Sequence, residues 1–287
     1  MNRREEGFLL LTGSLGDPNR RPLTAAELRK VKQCVINGPA CLQDKELEPG
    51  DLTVLGCPPE LAEKTVSLLG DQRRLDTYME QGRAKGCVPL TRISRDYPSG
   101  LIAALGDSAP GSLWLKGDHC LLNRPAVALV GSRELEDNHA DFARQVGAYA
   151  ARQGYVLISG NARGADTEAQ ESCLAAGGKV ISVIADRLLE KKPRPHVLYI
   201  SEGGFDMPFS AHRAHSRNRL IHSMGQRTFV ARCSCGVGGT WKGTAANLKG
   251  GWSPVFAFSD GSEGAYQLQN LGATLITPEE LWNIFNG

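Results

Sequence analysis

The stretch "YVLISGNARGADTEAQESCLAAGGKVISVI", residues 155–184, decides the fold. An apolar run (155 to 160) passes through a turn holding Gly160, Arg163 and Gly164. It then enters a helical segment that Asp166 is placed to cap, and stops at Gly177 and Gly178 before a second apolar run (179 to 184). Continuous apolar runs, as opposed to alternating ones, belong to strands covered on both faces. Strand, helix and strand at this spacing make a parallel crossover unit.

The same texture extends outward. "AVALVG" (126 to 131), "VLYIS" (197 to 201), "TFVAR" (228 to 232), "PVFAF" (254 to 258) and "ATLIT" (273 to 277) are further candidate strands. In "HADFARQVGAYAARQG", Phe142, Val146, Tyr149 and Ala150 share one helical stripe that stops at Gly154. The expected fold is α/β, a doubly wound, mostly parallel sheet. Ligands of such sheets bind outside the carboxyl ends of the strands, where the strand order reverses.

Before residue 90 the texture is helical. "LTAAELRKVKQCV" starts with Thr24 and Glu27 at capping-box spacing, "CPPELAEKTVSLLG" ends at Gly70, and "DQRRLDTYMEQG" ends at Gly82. Three short helices are expected there. Residues 1–90 are therefore assigned to a small helical domain and 91–287 to the sheet domain.

Composition narrows the function classes. No apolar run reaches the roughly 18 residues of a membrane span, and the patch at 8–11 is too short for a signal peptide, so a cytoplasmic protein without a membrane partner is expected. The eight cysteines (34, 41, 57, 87, 120, 173, 233, 235) contain no CxxC pair. His212 and His215 with Cys233 and Cys235 match no standard zinc spacing, so neither a metal nor another cofactor is expected. Net charge is only +2, yet no acidic residue lies between Asp206 and Asp260, where Arg213, Arg217, Arg219, Arg227, Arg232, Lys242 and Lys249 are concentrated. A local positive field of this kind is the footprint of a polyanion site, unless the cations point to different faces and pair elsewhere.

Four segments supply candidate site residues. Gly160, Arg163 and Gly164 sit where a strand end meets a helix start, so free N–H groups and a planar cation face whatever lies above the sheet. Gly131, Ser132 and Arg133 repeat that arrangement one strand earlier. Arg217, Asn218 and Arg219 precede the apolar stripe of Leu220, Ile221 and Met224. In "GVGGTWKGT" (236 to 244), Gly239, Thr240 and Lys242 suit a phosphate, and Trp241 is either a base-stacking platform or a core aromatic. The dinucleotide G-x-G-x-x-G, the P-loop, the G-x-S-x-G elbow and HExxH are all absent, and no catalytic residue is assigned.

With these residues in view, the chain resembles the DprA/Smf family of bacterial DNA-processing proteins. The resemblance runs through "DYPSGLIAALGDSAPGSLWLKGDHCLLNRPAVALVGSR" (96 to 133), "ISGNARGAD", "LAAGGKVISVI", "SRNRLI" and "GAYQLQNLGATLITPEELW", covering roughly residues 90 to 285. It implies an extended Rossmann-like domain that binds single-stranded DNA in a basic pocket and forms a homodimer. It also implies transfer of the strand to a RecA-type recombinase during natural transformation. Arg133, Gly160, Arg163, Gly164, Arg217, Asn218 and Arg219 would take the family's DNA-binding positions. The chain departs from the family in three places. "IADRLLEKKPRPHVLYISEGG" replaces a G-x-G-x-D-x-x-Y-P run, "GVGGTWKGTAANLK" replaces a glycine-serine turn, and no counterpart of the winged-helix-like carboxyl-terminal domain of many relatives is expected.

Two other readings stay open. Nucleotide hydrolases of the LOG type carry P-G-G-x-G-T followed by a glutamate, whereas Ala245, Ala246 and Asn247 stand where that carboxylate is needed. A binding module that senses a small nucleotide in the same pocket is the other. Salt distinguishes them from a strand binder, because a site that neutralises several backbone phosphates loses affinity steeply as salt rises.

Overall fold

The computed structural model describes residues 1–37 and 46–286. Nine strands form one sheet: β1 (Val88–Thr91), β2 (Ser112–Gly117), β3 (Ala126–Val130), β4 (Val156–Ser159), β5 (Lys179–Ile184), β6 (Val197–Glu202), β7 (Thr228–Val230), β8 (Val255–Phe258) and β9 (Thr274–Ile276). Their order is β1-β2-β6-β5-β4-β3-β7-β8-β9. The pairs β1–β2 and β2–β6 are antiparallel, and every other pair is parallel. The order reverses between β3 and β7, which makes their carboxyl ends the switch point. The seven strands expected from apolar runs are all present. The antiparallel pair β1 and β2 lies beyond those expectations.

Alternation along the buried strands divides the core into two layers. Val127, Leu129, Leu157 and Val180 face α7 (Asp137–Arg152), α8 (Ala165–Ala175) and α12 (Leu281–Asn286). Ala128, Val130, Ile158, Ile181 and Val183 face α6 (Ser99–Leu105), α9 (Ala211–Met224), α10 (Gly238–Gly250) and α11 (Glu263–Asn270). Phe142, Val146 and Ala150 of the expected stripe are fully buried on the first layer, with Tyr149 packed against it. Covering a parallel sheet on both faces is what its unbroken apolar strands require.

Five helices precede the sheet among the described residues: α1 (Arg3–Thr12), α2 (Ala25–Asn37), α3 (Pro49–Val54), α4 (Pro59–Leu69) and α5 (Gln72–Ala84). Two of them, α1 and α3, exceed the three expected, and α5 continues through Gly82 to Ala84. The Thr24 box forms as expected, with Thr24 N donating to Glu27 Oε2 at 2.7 Å and Glu27 N donating to Thr24 Oγ1 at 3.2 Å. Leu23, Val31, Leu52, Leu61 and Leu68 close a separate core within this segment. Leu9, Leu10, Leu75, Tyr78 and Met79 instead join the first layer of the sheet, beside Trp114 and Phe205.

One buried group in this scaffold gives it an acid-sensitive seam. His222 of α9 is fully buried; Asn247 Nδ2 donates to its Nδ1 at 3.3 Å, and its Nε2 has no partner. Burial pushes the imidazole from its ordinary 6.5 down to about 3. Between those values the unfolded chain holds the extra proton and the folded one does not, so stability falls as pH falls through that window. From pH 7 to pH 5 the loss due to His222 is about 2 kcal/mol. Urea unfolding of wild type and His222→Gln at both pH values measures it as the difference between the two proteins. Parallel profiles would remove the assignment.

Candidate nucleic-acid interface

The carboxyl ends of β3, β4 and β5 and the first turns of α9 enclose a pocket of about 290 Å³. Three arginines, Arg133, Arg163 and Arg217, line it together with the Gly160–Ala162 backbone, Asp186 and Phe209. The expected turns after β3 and β4 therefore meet at one edge, as their shared position predicts.

Local chemistry shapes the β4 turn. Asn161 adopts a left-handed φ of 57°, a conformation that asparagine tolerates better than most residues. Gly164 is the N-cap of α8, at φ 88° and ψ −130°. Asp166 is thus not the cap, as the sequence suggested, but stands one turn position inside the helix. Its buried carboxylate points back and accepts from Ala162 N at 3.1 Å, while Thr167 Oγ1 donates to Ala162 O at 2.8 Å. Ala165 N donates to Ser132 O at 3.1 Å, stitching the two turns together.

A buried charge pair underlies the pocket floor. Arg217 is 8% exposed; its Nη1 donates to Val183 O at 2.7 Å, and its Nε has no partner. Desolvation pushes the Asp166 carboxyl above its ordinary range, against the pull of Arg217 and of the Ala162 and Gly160 amides. Desolvation likewise lowers Arg217, and Asp166 opposes it. Each charge offsets part of the other's burial penalty. Arg133 and Arg163, by contrast, are exposed and make no ion pair among the described residues.

The space beside Gly160 and Gly164 is filled by the protein itself. A Cβ on Gly160 would lie 1.7 Å from Arg217 Nη1 and 2.6 Å from Asp166 Oδ2. One on Gly164 would lie 2.5 Å from Ser132 O. These positions are glycine because the guanidinium and the neighbouring turn occupy the space a side chain would need.

Other expected residues are held elsewhere. Arg219 pairs with the Glu202 carboxylate and the Ser108 carbonyl, on the side of α9 away from the pocket. Asn218 donates to Gly239 O at 3.0 Å, and Thr240 Oγ1 donates to Gly131 O at 2.9 Å, so both tie α10 to its neighbours. Lys242 is exposed near the start of α10, and Trp241 is half-buried against the second core layer, the core alternative left open above. Ser132 Oγ accepts from Glu134 N at 3.2 Å.

The acid-free run is mostly spent inside the fold. Arg213 donates to the carbonyls of Ala185, Met207 and Pro208 at 2.7, 2.8 and 2.9 Å, Arg227 donates to the Ile284 carbonyl, and Arg232 pairs with Glu136 at 3.1 Å. Among the described residues no three His, Cys, Asp or Glu side chains gather as a metal site, and Cys41 lies outside those residues.

Sequence reasoning passed over Phe209, an aromatic 56% exposed in the pocket wall. Its signal was its place just before Ser210, which caps the helix carrying Arg217 by accepting from Arg213 N at 3.1 Å. Also overlooked was the structural role of Asp166.

A doubly wound sheet with three arginines gathered at its carboxyl edge defines a Rossmann-like α/β protein. A family model described as DNA recombination-mediator protein A matches residues 89–286, and the chain belongs to that family. It is 30% identical over 205 residues to protein Smf of Escherichia coli, covering 66% of this chain and 54% of that protein. It is 31% identical over 185 residues to the DNA processing protein DprA of Streptococcus pneumoniae, covering 59% of this chain and 64% of the relative. The chain thus spans between 54% and 64% of the length of these relatives. The solved DprA structure from Streptococcus pneumoniae superposes with a TM-score of 0.68 at 26% identity, over 91% of this chain and 98% of that one. DprA of Helicobacter pylori, described for its single-stranded DNA binding mode, shares the fold with a TM-score of 0.58 at 23% identity, over 70% and 94% of the chains. No helix among the described residues is long and apolar enough to cross a membrane.

Proposed function

We propose that this chain binds single-stranded DNA at the pocket of Arg133, Arg163 and Arg217. In this reading it protects the strand and passes it to a RecA-type recombinase during DNA uptake or recombination. The observation that carries the reading is the convergence of two unpaired arginines, one buried arginine and an exposed aromatic, Phe209, on the carboxyl edge of the sheet. Cations and turn amides suit the backbone phosphate, and an aromatic face suits a base without selecting among bases. Family membership and the DNA-binding character of the Helicobacter pylori relative support this choice over other anions. Gly160 lines the pocket, Gly131, Ser132 and Gly164 belong to the turns that frame it, and Gly239, Thr240 and Lys242, at the start of α10, are not among its lining residues.

The same reading includes a cytoplasmic homodimer and a helical segment, expected as residues 1–90, packed on the sheet domain expected as 91–287; β1 (Val88–Thr91) crosses that boundary, so the sheet begins before residue 91. It assigns no catalysis, because position 247 is a buried asparagine bonded to Ser253 at 3.1 Å, and Ala245 and Ala246 supply no carboxylate. The pocket's small volume favours one alternative, a mononucleotide sensor. Fluorescence anisotropy of labelled oligo-dT across salt concentrations, with mononucleotides as competitors, separates the two. A steep salt slope supports the strand binder, and a shallow slope with full mononucleotide competition overturns it.

The split among the arginines sharpens the test. Arg163→Ala is expected to weaken binding about three- to tenfold and to reduce the log–log salt slope by about 0.7, with unfolding free energy unchanged. Arg219→Ala is expected to do the reverse, lowering stability by breaking the contacts with Glu202 and Ser108 while leaving the slope intact. A salt slope that falls in Arg219→Ala and not in Arg163→Ala would overturn this placement of the strand.

A further inference from the structure

We infer that Tyr78, in the helical segment before the sheet, is a positioning residue for the base-stacking face of Phe209. This rests on the strand-binding reading above and gives those helices a part in it.

The link is the chain between β6 and α9. Phe205 is buried there, stacked on Tyr78 with ring centroids 4.5 Å apart and tilted on Trp114 at 4.8 Å. The next residue, Asp206, accepts from Tyr78 Oη at 2.5 Å. Ser14 Oγ contacts Met207 Sδ at 3.8 Å, a second tie to the same helical segment. Arg213 Nη1 then gathers the carbonyls of Met207 and Pro208, and Ser210 starts α9 by capping Arg213 N. Phe209, a residue 56% exposed, lies between these two anchors in the pocket wall. Among the described residues it makes no hydrogen bond of its own, so its place is set by what fixes the residues on either side.

The chemistry of the clamp suits that task. Burial, and then the Asp206 carboxylate, push the Tyr78 hydroxyl well above its ordinary range, so it remains a donor throughout the working pH range. A hydroxyl donating to a carboxylate is a charge-assisted bond, shorter and stronger than a neutral one. An aromatic platform contributes only when held at stacking distance, since ordering it at the moment of binding offsets the gain.

The experiment compares each protein's affinity for oligo-dT with its affinity for an abasic strand of the same length. The ratio reports stacking alone, because lost phosphate contacts or a smaller folded fraction lower both affinities together. For wild type a ratio of about ten is expected, falling to about one in Phe209→Ala. Tyr78→Phe, which keeps the buried ring and removes only the hydroxyl, is expected to bring the ratio to about three, and Asp206→Ala likewise. Asp206→Asn, whose amide oxygen still accepts, should keep it near the wild-type value. In Tyr78→Phe/Phe209→Ala the ratio should equal that of Phe209→Ala alone. If Phe209→Ala lowers the ratio while Tyr78→Phe and Asp206→Ala do not, the clamp is overturned and the strand-binding reading stands. If wild type shows no strand binding, or a ratio of one, the reading of the pocket or of Phe209 fails first, and the clamp with it.

Discussion

Arg217→Ala is expected to lower affinity for single-stranded DNA by at least about a hundredfold and to destabilise the fold by about 3 kcal/mol. Both losses have one origin. The guanidinium lies across Gly160, donates to Val183 O at 2.7 Å and neutralises the buried carboxylate of Asp166. Removing it strands that carboxylate at 7% exposure, and the amide of Ala162 can offset only part of the lost attraction. The carboxyl, already pushed above its ordinary range by burial, is then driven further towards its protonated form, and whatever negative charge it keeps opposes an incoming phosphate. Adding Asp166→Asn to Arg217→Ala removes that charge and should recover much of the stability and little of the affinity. Arg217→Lys keeps a charge without the planar fork and should fall between wild type and Arg217→Ala. Urea midpoints and anisotropy titrations on the same preparations decide the matter. Wild-type affinity in a folded Arg217→Ala would place the strand elsewhere.

The parallel strands were legible because a strand covered on both faces must be apolar throughout, and β3, β4 and β5 are buried almost end to end. β2 failed that test despite being nearly as buried, because it carries Lys116, whose Nζ escapes to the carbonyl of Leu189 at 3.0 Å. A lysine that satisfies itself internally looks, in a sequence, like one bound for solvent. The turns were legible too, since glycine after an apolar run marks the end of a strand, and the β3 and β4 turns do meet at one edge of the sheet. Which neighbour required each glycine was not legible, because Arg217 reaches Gly160 from a helix more than fifty residues away.

The separation of Arg219 from the pocket has a geometric cause. The sequence sets Arg217 and Arg219 ahead of the apolar stripe of a helix, where both could turn to one ligand. In the structure Ser210 caps α9, so both residues lie well inside it. Two positions apart on a helix means about 200° around its axis, and a pair so placed cannot share a pocket. Arg217 therefore takes the sheet edge, and Arg219 reaches β6. The cationic field belongs to fewer residues than the charge count suggested, which makes each of them matter more.

Gly164→Val shows how closely pocket and fold are joined here. From sequence alone, the expectation is lost binding in an otherwise intact protein. The structure alters the second half. Gly164 sits at φ 88° and ψ −130°, a region side-chain-bearing residues avoid, and its Cβ would lie 2.5 Å from Ser132 O and 2.7 Å from Arg133 O. Backbone strain and this overlap together should destabilise the protein by about 3 kcal/mol. The relief open to the chain is to spread the β3 and β4 turns, breaking the bond from Ala165 N to Ser132 O and separating Arg133 from Arg163. Affinity should then fall by more than about thirtyfold even in the folded fraction, because the two cations no longer meet one strand. Gly164→Ala carries the same Cβ and should show most of the effect, which separates this cause from the bulk of valine. Circular dichroism sets the folded fraction and anisotropy reads the affinity. A folded Gly164→Val that binds like wild type would mean that the contact between the turns does not set the pocket.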